Sequence, residues 1–329
     1  MNNFVDLLKR AAALWWRARA LWPLGMLAAF VGAGDLSVGG NANVTQRVSV
    51  DGGADVPPWL ADLAASPLVR GFLDNPWPYV IGFGLALVGL SIVAALVGAL
   101  AHGAMIRVAD VADQGYAATA GDGLRAGAAR VVPLFLINLI LALPVIVGVL
   151  VVGGVVAMAV VGVVASTEGG ANLDPGPMIA SLIGLVFCAL GFILLLWVVG
   201  ALLGVWARVA QRVCVIEVRG PLASLGRAWG LIRHNLGLSL LTWLLQAILG
   251  GVASFILALP ALGLAFPAAL ALARGGPFPV GLVVALVLYA LLASVIVGGL
   301  LTAFNSAMWT VMFRAFVGRE RPYESYGAA

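Results

Sequence analysis

The sequence predicts an all-α integral membrane protein, with six transmembrane helices in one bundle, on two observations. Only 10% of the 329 residues are charged and 63% are hydrophobic, whereas soluble domains carry roughly 25% charged residues. So few charges cannot cover a water-facing surface. Several apolar runs also exceed the ~20 residues needed to cross a bilayer core. None shows strand-like alternation, so the backbone inside lipid must pair within helices.

The apolar runs lie at about 20–36, 77–103, 131–164, 177–206, 236–262 and 280–313. The first follows Lys9, Arg10, Arg17 and Arg19, an arrangement similar to a signal peptide. It is expected to be retained as a short first span, preceded by an interfacial helix from about Asn3 to Ala18. Trp15, Trp16 and Trp22 suit the headgroup boundary. The loop 37–75 is glycine-rich at its start; Leu60, Leu63, Val69 and Phe72 then predict one or two short surface helices. At ~1.5 Å per residue the run 131–164 exceeds the ~30 Å core, so it is read as one tilted or bent helix around Pro144. Pro260 and Pro267 are expected to break the fifth helix, leaving 263–273 as a short interfacial or re-entrant piece.

Basic residues set the orientation. With the N-terminus in the cytosol, only Arg47, Arg70 and Arg274 of the 18 lysines and arginines fall outside, which is a strong positive-inside bias. The acidic residues divide evenly and do not blur it. Both termini are therefore expected inside. The net charge of +4 is read as topology and not as a nucleic-acid footprint.

The chain is read as a single membrane domain built from three parallel units. "RVADVADQG" (107–115) aligns without gaps to "RVCVIEVRG" (212–220), and an arginine-bearing segment follows each. The units run about 3–115, 116–220 and 221–318, with 319–329 as a cytosolic tail. Each is a basic interfacial helix, a span outward and a span back. In the third, Leu222, Leu225, Trp229 and Ile232 recur at three- and four-residue steps and define an apolar face. Ser224, Arg227 and His234 fall opposite and Arg233 at the border. This elbow is expected to lie on the inner leaflet, with arginines against lipid phosphates. Arg125, Arg130, Arg227, Arg233 and His234 are the candidate contacts to anionic headgroups.

No catalytic constellation is present: there is no GxSxG elbow, no phosphate loop ending in Gly-Lys and no HExxH. Cys188 and Cys214 form no CxxC pair, so no metal or cofactor is expected. The span interiors lack Asp, Glu, Lys and Arg, which argues against ion-coupled transport. Their polar groups are Ser91, Asn138, Thr242, Gln246, Tyr289, Thr302 and Asn305. Asn138 and Gln246 are the most deeply placed, suited to interhelical hydrogen bonds or to lining a cavity. Gly200–Gly204 and Gly153–Ala157 carry the small-residue spacing that permits close helix contact.

Three stretches, "ALWWRARALWPLGMLAAF", "PLASLGRAWGLIRHNLGLSLL" and "SAMWTVMFRAFVGRE", carry a family likeness. Their order resembles the six-helix membrane domain attached to some bacterial glycerophosphoryl diester phosphodiesterases, and related stand-alone bacterial membrane proteins. The resemblance implies six spans in a bacterial inner membrane. The catalytic barrel of those phosphodiesterases is missing, so hydrolysis is not implied. The functional expectation is a non-enzymatic structural or accessory subunit of a membrane assembly, with membrane lipids, their anionic headgroups at the inner leaflet and other membrane proteins as its partners. The alternative is an uncoupled carrier, flippase-like protein or sensor for a lipid or amphiphile, which requires a cavity reached by Asn138 or Gln246.

The orientation has a direct check. With Cys188 and Cys214 replaced by alanine, a cysteine at Tyr323 should react with a membrane-impermeant thiol reagent only after the cells are opened. Reaction in intact cells would overturn the assignment of spans.

Overall fold

The computed structural model describes residues 4–32, 75–168, 175–273 and 280–318. Within them lie eight helices: α1 (Phe4–Arg17), α2 (Leu21–Phe30), α3 (Pro76–Asp113), α4 (Ala120–Glu168), α5 (Pro175–Ile216), α6 (Pro221–His234), α7 (Leu236–Ala273) and α8 (Val280–Val317). No strand occurs among the described residues. The expected surface helices in 37–75, before Asn75, and the tail 319–329 lie outside them.

Five stretches are long and apolar enough to cross a membrane: Trp77–Asp113, Ala120–Ala159, Phe187–Ile216, Leu236–Pro267 and Gly281–Val317. The chain is a multi-pass α-helical membrane protein. Four of these stretches extend well past the apolar runs into the charged segments. In α3, α5 and α8 several of those charges meet partners inside the bundle, as Asp110, Asp113, Arg212 and Arg314 do, so the helix need not end where the hydrocarbon-like sequence does. The first apolar segment differs. α2 has ten residues and rises ~15 Å, about half of a ~30 Å core. Its final turn closes on Gly32, whose φ of 75° is one that only glycine adopts without strain. The remainder of 20–36 lies outside the described residues.

α7 also departs from expectation. It runs unbroken through Pro260 and Pro267, so 263–273 is not a separate interfacial or re-entrant piece. Each proline removes one backbone bond. Leaving the helix inside an apolar stretch would expose many more unpaired groups to lipid, and the helix persists. α4 likewise continues through Pro133 and Pro144. The basic segment at its start forms its first turns rather than a separate helix.

The packed core sits at one end of the bundle. It joins Ala99–Ala109 of α3, Leu134–Leu141 of α4, Val205–Val215 of α5 and Ala303–Phe313 of α8 to α1, α2 and α6. This charged end also carries the Arg and Asp side chains of α1, α3 and α8. Towards the other end, apolar side chains such as Phe83, Leu150, Leu194, Phe255 and Val287 are exposed, a surface suited to lipid.

Backbones approach most closely through glycines that periodicity did not single out. A Cβ at Gly127 would lie 2.6 Å from the Leu100 carbonyl oxygen, and one at Gly103 would lie 3.1 Å from the Gly127 Cα. α3 and α4 thus meet backbone to backbone. α2 seats on α8 the same way, since a Cβ on Gly299 would lie 2.6 Å from the Met26 Cα. Gly153, Gly200 and Gly204 have no neighbour within 4 Å of that position. The small-residue spacings expected to make contact are not at these interfaces.

The elbow α6 packs on the bundle by a face that only partly overlaps the expected apolar one. Its buried face is Ser224, Leu225, Ala228, Leu231 and Ile232, while Leu222 and Trp229 are 72% and 55% exposed. Small side chains let α6 dock closely on the bundle, and Trp206 Nε1 donates to the Leu225 carbonyl at 2.9 Å. Ser224 is accommodated in this face by donating to the Gly220 carbonyl at 2.8 Å. The aligned stretches at 107–115 and 212–220 also differ in backbone. Gly115 ends α3 at φ 87°, whereas Gly220 caps the start of α6 at φ −67°.

Gly127→Leu should lower stability by about 3 kcal/mol, the upper range for overpacking, because the obstacle is backbone. Gly200→Ala should stay within about 1 kcal/mol of the parent. Thermal unfolding in mild detergent separates the two.

Candidate functional site

A half-open cleft of about 650 Å³ lies between α2, α3, α4, α5 and α8, within the ~300–1,000 Å³ range of small-molecule sites. Its floor is a stripe on α3: Ser91, Ala94, Ala95, Gly98, Ala99, His102 and Ile106. These positions recur at helical spacing, so they share one face. Most are small, and their missing side-chain volume makes the cleft. From Ser91 to Ile106 the stripe rises ~22 Å along the helix.

The lining is graded. Val31, Phe135, Leu139 and Ala142 supply apolar walls. Towards the charged end, α5 turns Gly204, Ala207, Arg208, Gln211 and Arg212 inward, and α8 adds Thr302, Asn305 and Ser306. Among the described residues, no carboxylate lines the cleft.

The polar groups are held by directed bonds. Gln211 Nε2 donates to Asn138 Oδ1 at 2.7 Å, joining α5 to α4. Arg212 Nη1 donates to the Arg208 carbonyl at 2.7 Å and Nη2 to the Ser306 carbonyl at 3.1 Å. Arg208 Nη1 donates to Gln246 Oε1, which also accepts from Trp309 Nε1 at 3.0 Å. The Arg208 guanidinium lies 5.9 Å from the Trp309 ring centroid, within cation–π range. Gln246 is buried behind the cleft wall and braces Arg208 from α7.

Beyond the cleft, the charged end is closed by ion pairs. Arg10 grips Asp113 with both Nε and Nη2 at 2.9 Å. Arg314 bonds Asp110 through its carboxylate and carbonyl, and its Nε lies 3.3 Å from Asp113. Gln114 Nε2 donates to Asp110 at 3.1 Å. Arg10, Asp110, Asp113 and Arg314 are all buried. One cluster on α3 therefore fastens α1 and α8.

The residues expected to contact headgroups are not brought together. Arg125, Arg227, Arg233 and His234 are exposed and Arg130 is half-buried, spread over α4 and α6. Arg227 and Arg219 both approach Glu217, at 3.8 and 2.9 Å. His234 Nδ1 lies 2.7 Å from the Gly230 carbonyl of its own helix. Of the deep polar candidates, Ser91, Asn138, Thr302 and Asn305 reach the cleft. Thr242 and Tyr289 bond backbone carbonyls, of Leu238 and Leu257. Arg208 and Arg212 were missed as site residues because they were counted as topological charges, and Gln211 because it lies in the polar break after the fourth apolar run. Their common face with Gly204 and Ala207, at three- and four-residue steps, was the available signal.

This arrangement defines a multi-pass membrane protein with an amphipathic cleft reaching into its charged end. No protein-family model, curated protein or solved structure matches the chain.

Asp113→Asn should cost about 3–5 kcal/mol, as for other buried pairs broken on one side, read as loss of thermal stability in detergent. Arg10→Leu combined with Asp113→Leu should recover part of it. An additive double variant would exclude direct coupling.

Proposed function

We propose that the protein binds a lipid or other amphiphile in the cleft, as an uncoupled carrier, flippase-like protein or sensor. The observation that carries this reading is the graded lining: small and apolar along α3 and α4, cationic and hydrogen-bonding where Arg208, Gln211 and Arg212 enter. A membrane amphiphile has the same gradient. The expected accessory-subunit role draws on exposed apolar helix faces, which lipid alone would cover, so the cleft favours the amphiphile.

The reading adopts six crossings with both ends in the cytosol of a bacterial inner membrane. Positive-inside bias supports the orientation. Arg10 and Arg314 meet at Asp113, so α1 and the end of α8 share one side. In this reading α2 is the first half of the sixth crossing, between α1 and α3. Three parallel units are part of the same proposal; α1 and α6 open the first and third, and the first turns of α4 open the second. The resemblance to the membrane domain of glycerophosphoryl diester phosphodiesterases agrees with six crossings.

Ala95 lines the cleft with an exposed side chain, so Ala95→Phe should fill it without disturbing the core. Native mass spectrometry of the detergent-purified chain should show retained lipid in the parent and its loss in Ala95→Phe. Equal lipid retention in both would remove the proposal.

A further inference from the structure

We propose that the cleft is one half of a gated passage for its amphiphile, continued by a second cavity at the charged end; this rests on the amphiphile reading above and makes the protein a carrier and not a sensor. The second cavity has a volume of about 190 Å³, and its lining includes Asp110 and Gln114 of α3, Ile216 of α5, and Phe313 and Val317 of α8.

The same three helices line both cavities. The cleft ends at Ile106 of α3, Arg212 of α5 and Ser306 of α8. Asp110 and Ile216 lie one turn further along α3 and α5, and Phe313 two turns further along α8. Steps of four and seven residues keep to one helix face, so the two cavities are in line. At ~1.5 Å per residue, ~6–10 Å of packed structure separates them.

Exposure along the cleft shows which end is shut. Ser91 and Ala95 are exposed, whereas Ile106, Arg212, Thr302, Asn305 and Ser306 are buried. The polar end is therefore the blind end. An amphiphile entering from lipid brings its head up to the septum. The septum contains Trp309, Thr310 and Phe313, all buried, and the Thr310 hydroxyl donates to the Ser306 carbonyl at 2.8 Å. On its far side Arg314 closes on Asp110.

That ion pair can part without orphaning either charge, which distinguishes a gate from a strut. Arg314 Nε lies 3.0 Å from Asp110 Oδ1 and 3.3 Å from Asp113 Oδ2, so it stays paired when it releases Asp110. Asp110 keeps Gln114 at 3.1 Å and Arg107 at 3.5 Å. The Arg107 side chain is 46% exposed and has room to close further. Breaking a buried pair is costly because one charge is left alone, and here neither is. The swing needs no shift of α8 along α3.

The test is access from water to the blind end. In a Cys188→Ala, Cys214→Ala chain, Ser306→Cys puts a thiol there. Opened membrane sheets expose both faces to a membrane-impermeant methanethiosulfonate, which cannot arrive through lipid. Ser306→Cys should be labelled. Adding Val317→Trp or Ile216→Trp, which fill the second cavity from different helices, should abolish the labelling. Both filled variants should retain lipid like the parent in native mass spectrometry, which a merely damaged fold would not. No labelling of Ser306→Cys, or labelling that survives filling in a chain that retains lipid, overturns the passage and leaves the cleft reading standing. Loss of lipid from both filled variants also overturns the passage, because the second cavity is then not separable from the cleft. A parent that retains no lipid, or retention unaffected by Ala95→Phe, overturns the cleft reading and the passage with it.

Discussion

Asp110 and Asp113 are the charges on which the rest of the bundle depends. They stand one turn apart near the end of α3 and meet arginines 204 and 103 residues away in the chain. Burying a carboxylate or a guanidinium alone is prohibitive in a low-dielectric interior, and each is tolerated because the other is present. The consequence is a register constraint. α1 and α8 can shift along α3 only by breaking bonds that cost several kcal/mol to leave unmade. Hydrophobic attraction cannot set such a register between helices in lipid, because lipid is as apolar as leucine.

Small residues on α3 act in opposite ways on its two faces. Gly103 lets α4 come in until backbones touch. Ala94 and Ala95 also lack volume, and there the cleft remains. Gly25 and Gly299 bring α2 against α8 so closely that the end of α2, at Val31 and Gly32, forms part of the cleft wall. Glycine content therefore supplies both the tightest contacts and the largest opening.

The helical class, the membrane setting and the five long spans were legible because they depend on composition summed over ~20 residues. The proline at 260 misled for a local reason. Its cost in water is known, but the alternative to a helix inside an apolar stretch is worse. The side by which α6 docks on the bundle was illegible because it is decided by what lies beneath it. Of the apolar face expected at the acyl boundary, Leu225 and Ile232 are buried against the bundle and Leu222 and Trp229 stay exposed. At the site, Asn138 was legible as a deep polar residue and does line the cleft, while Gln246 was legible as buried but not as a brace for Arg208. The arginines of α5 were hidden by a true rule applied too broadly. Positive-inside bias says on which side a cation lies, not whether it faces lipid headgroups, a carboxylate or a cavity.

That distinction divides the cations of the charged end into three physical groups. Arg125, Arg227 and Arg233 are exposed, where they meet a surface potential, and Arg227 also approaches Glu217. Arg10 and Arg314 are consumed by Asp113 and Asp110, and replacing their charge would be a matter of stability. Arg208 and Arg212 line a cleft whose remaining donors are amides and hydroxyls and whose opposite half is apolar. Their bonds also tie α5 to α7 through Gln246 and to α8 through the Ser306 carbonyl. In the proposed reading, an amphiphile would carry its polar head to that depth while its tails stay in the medium the helices already occupy.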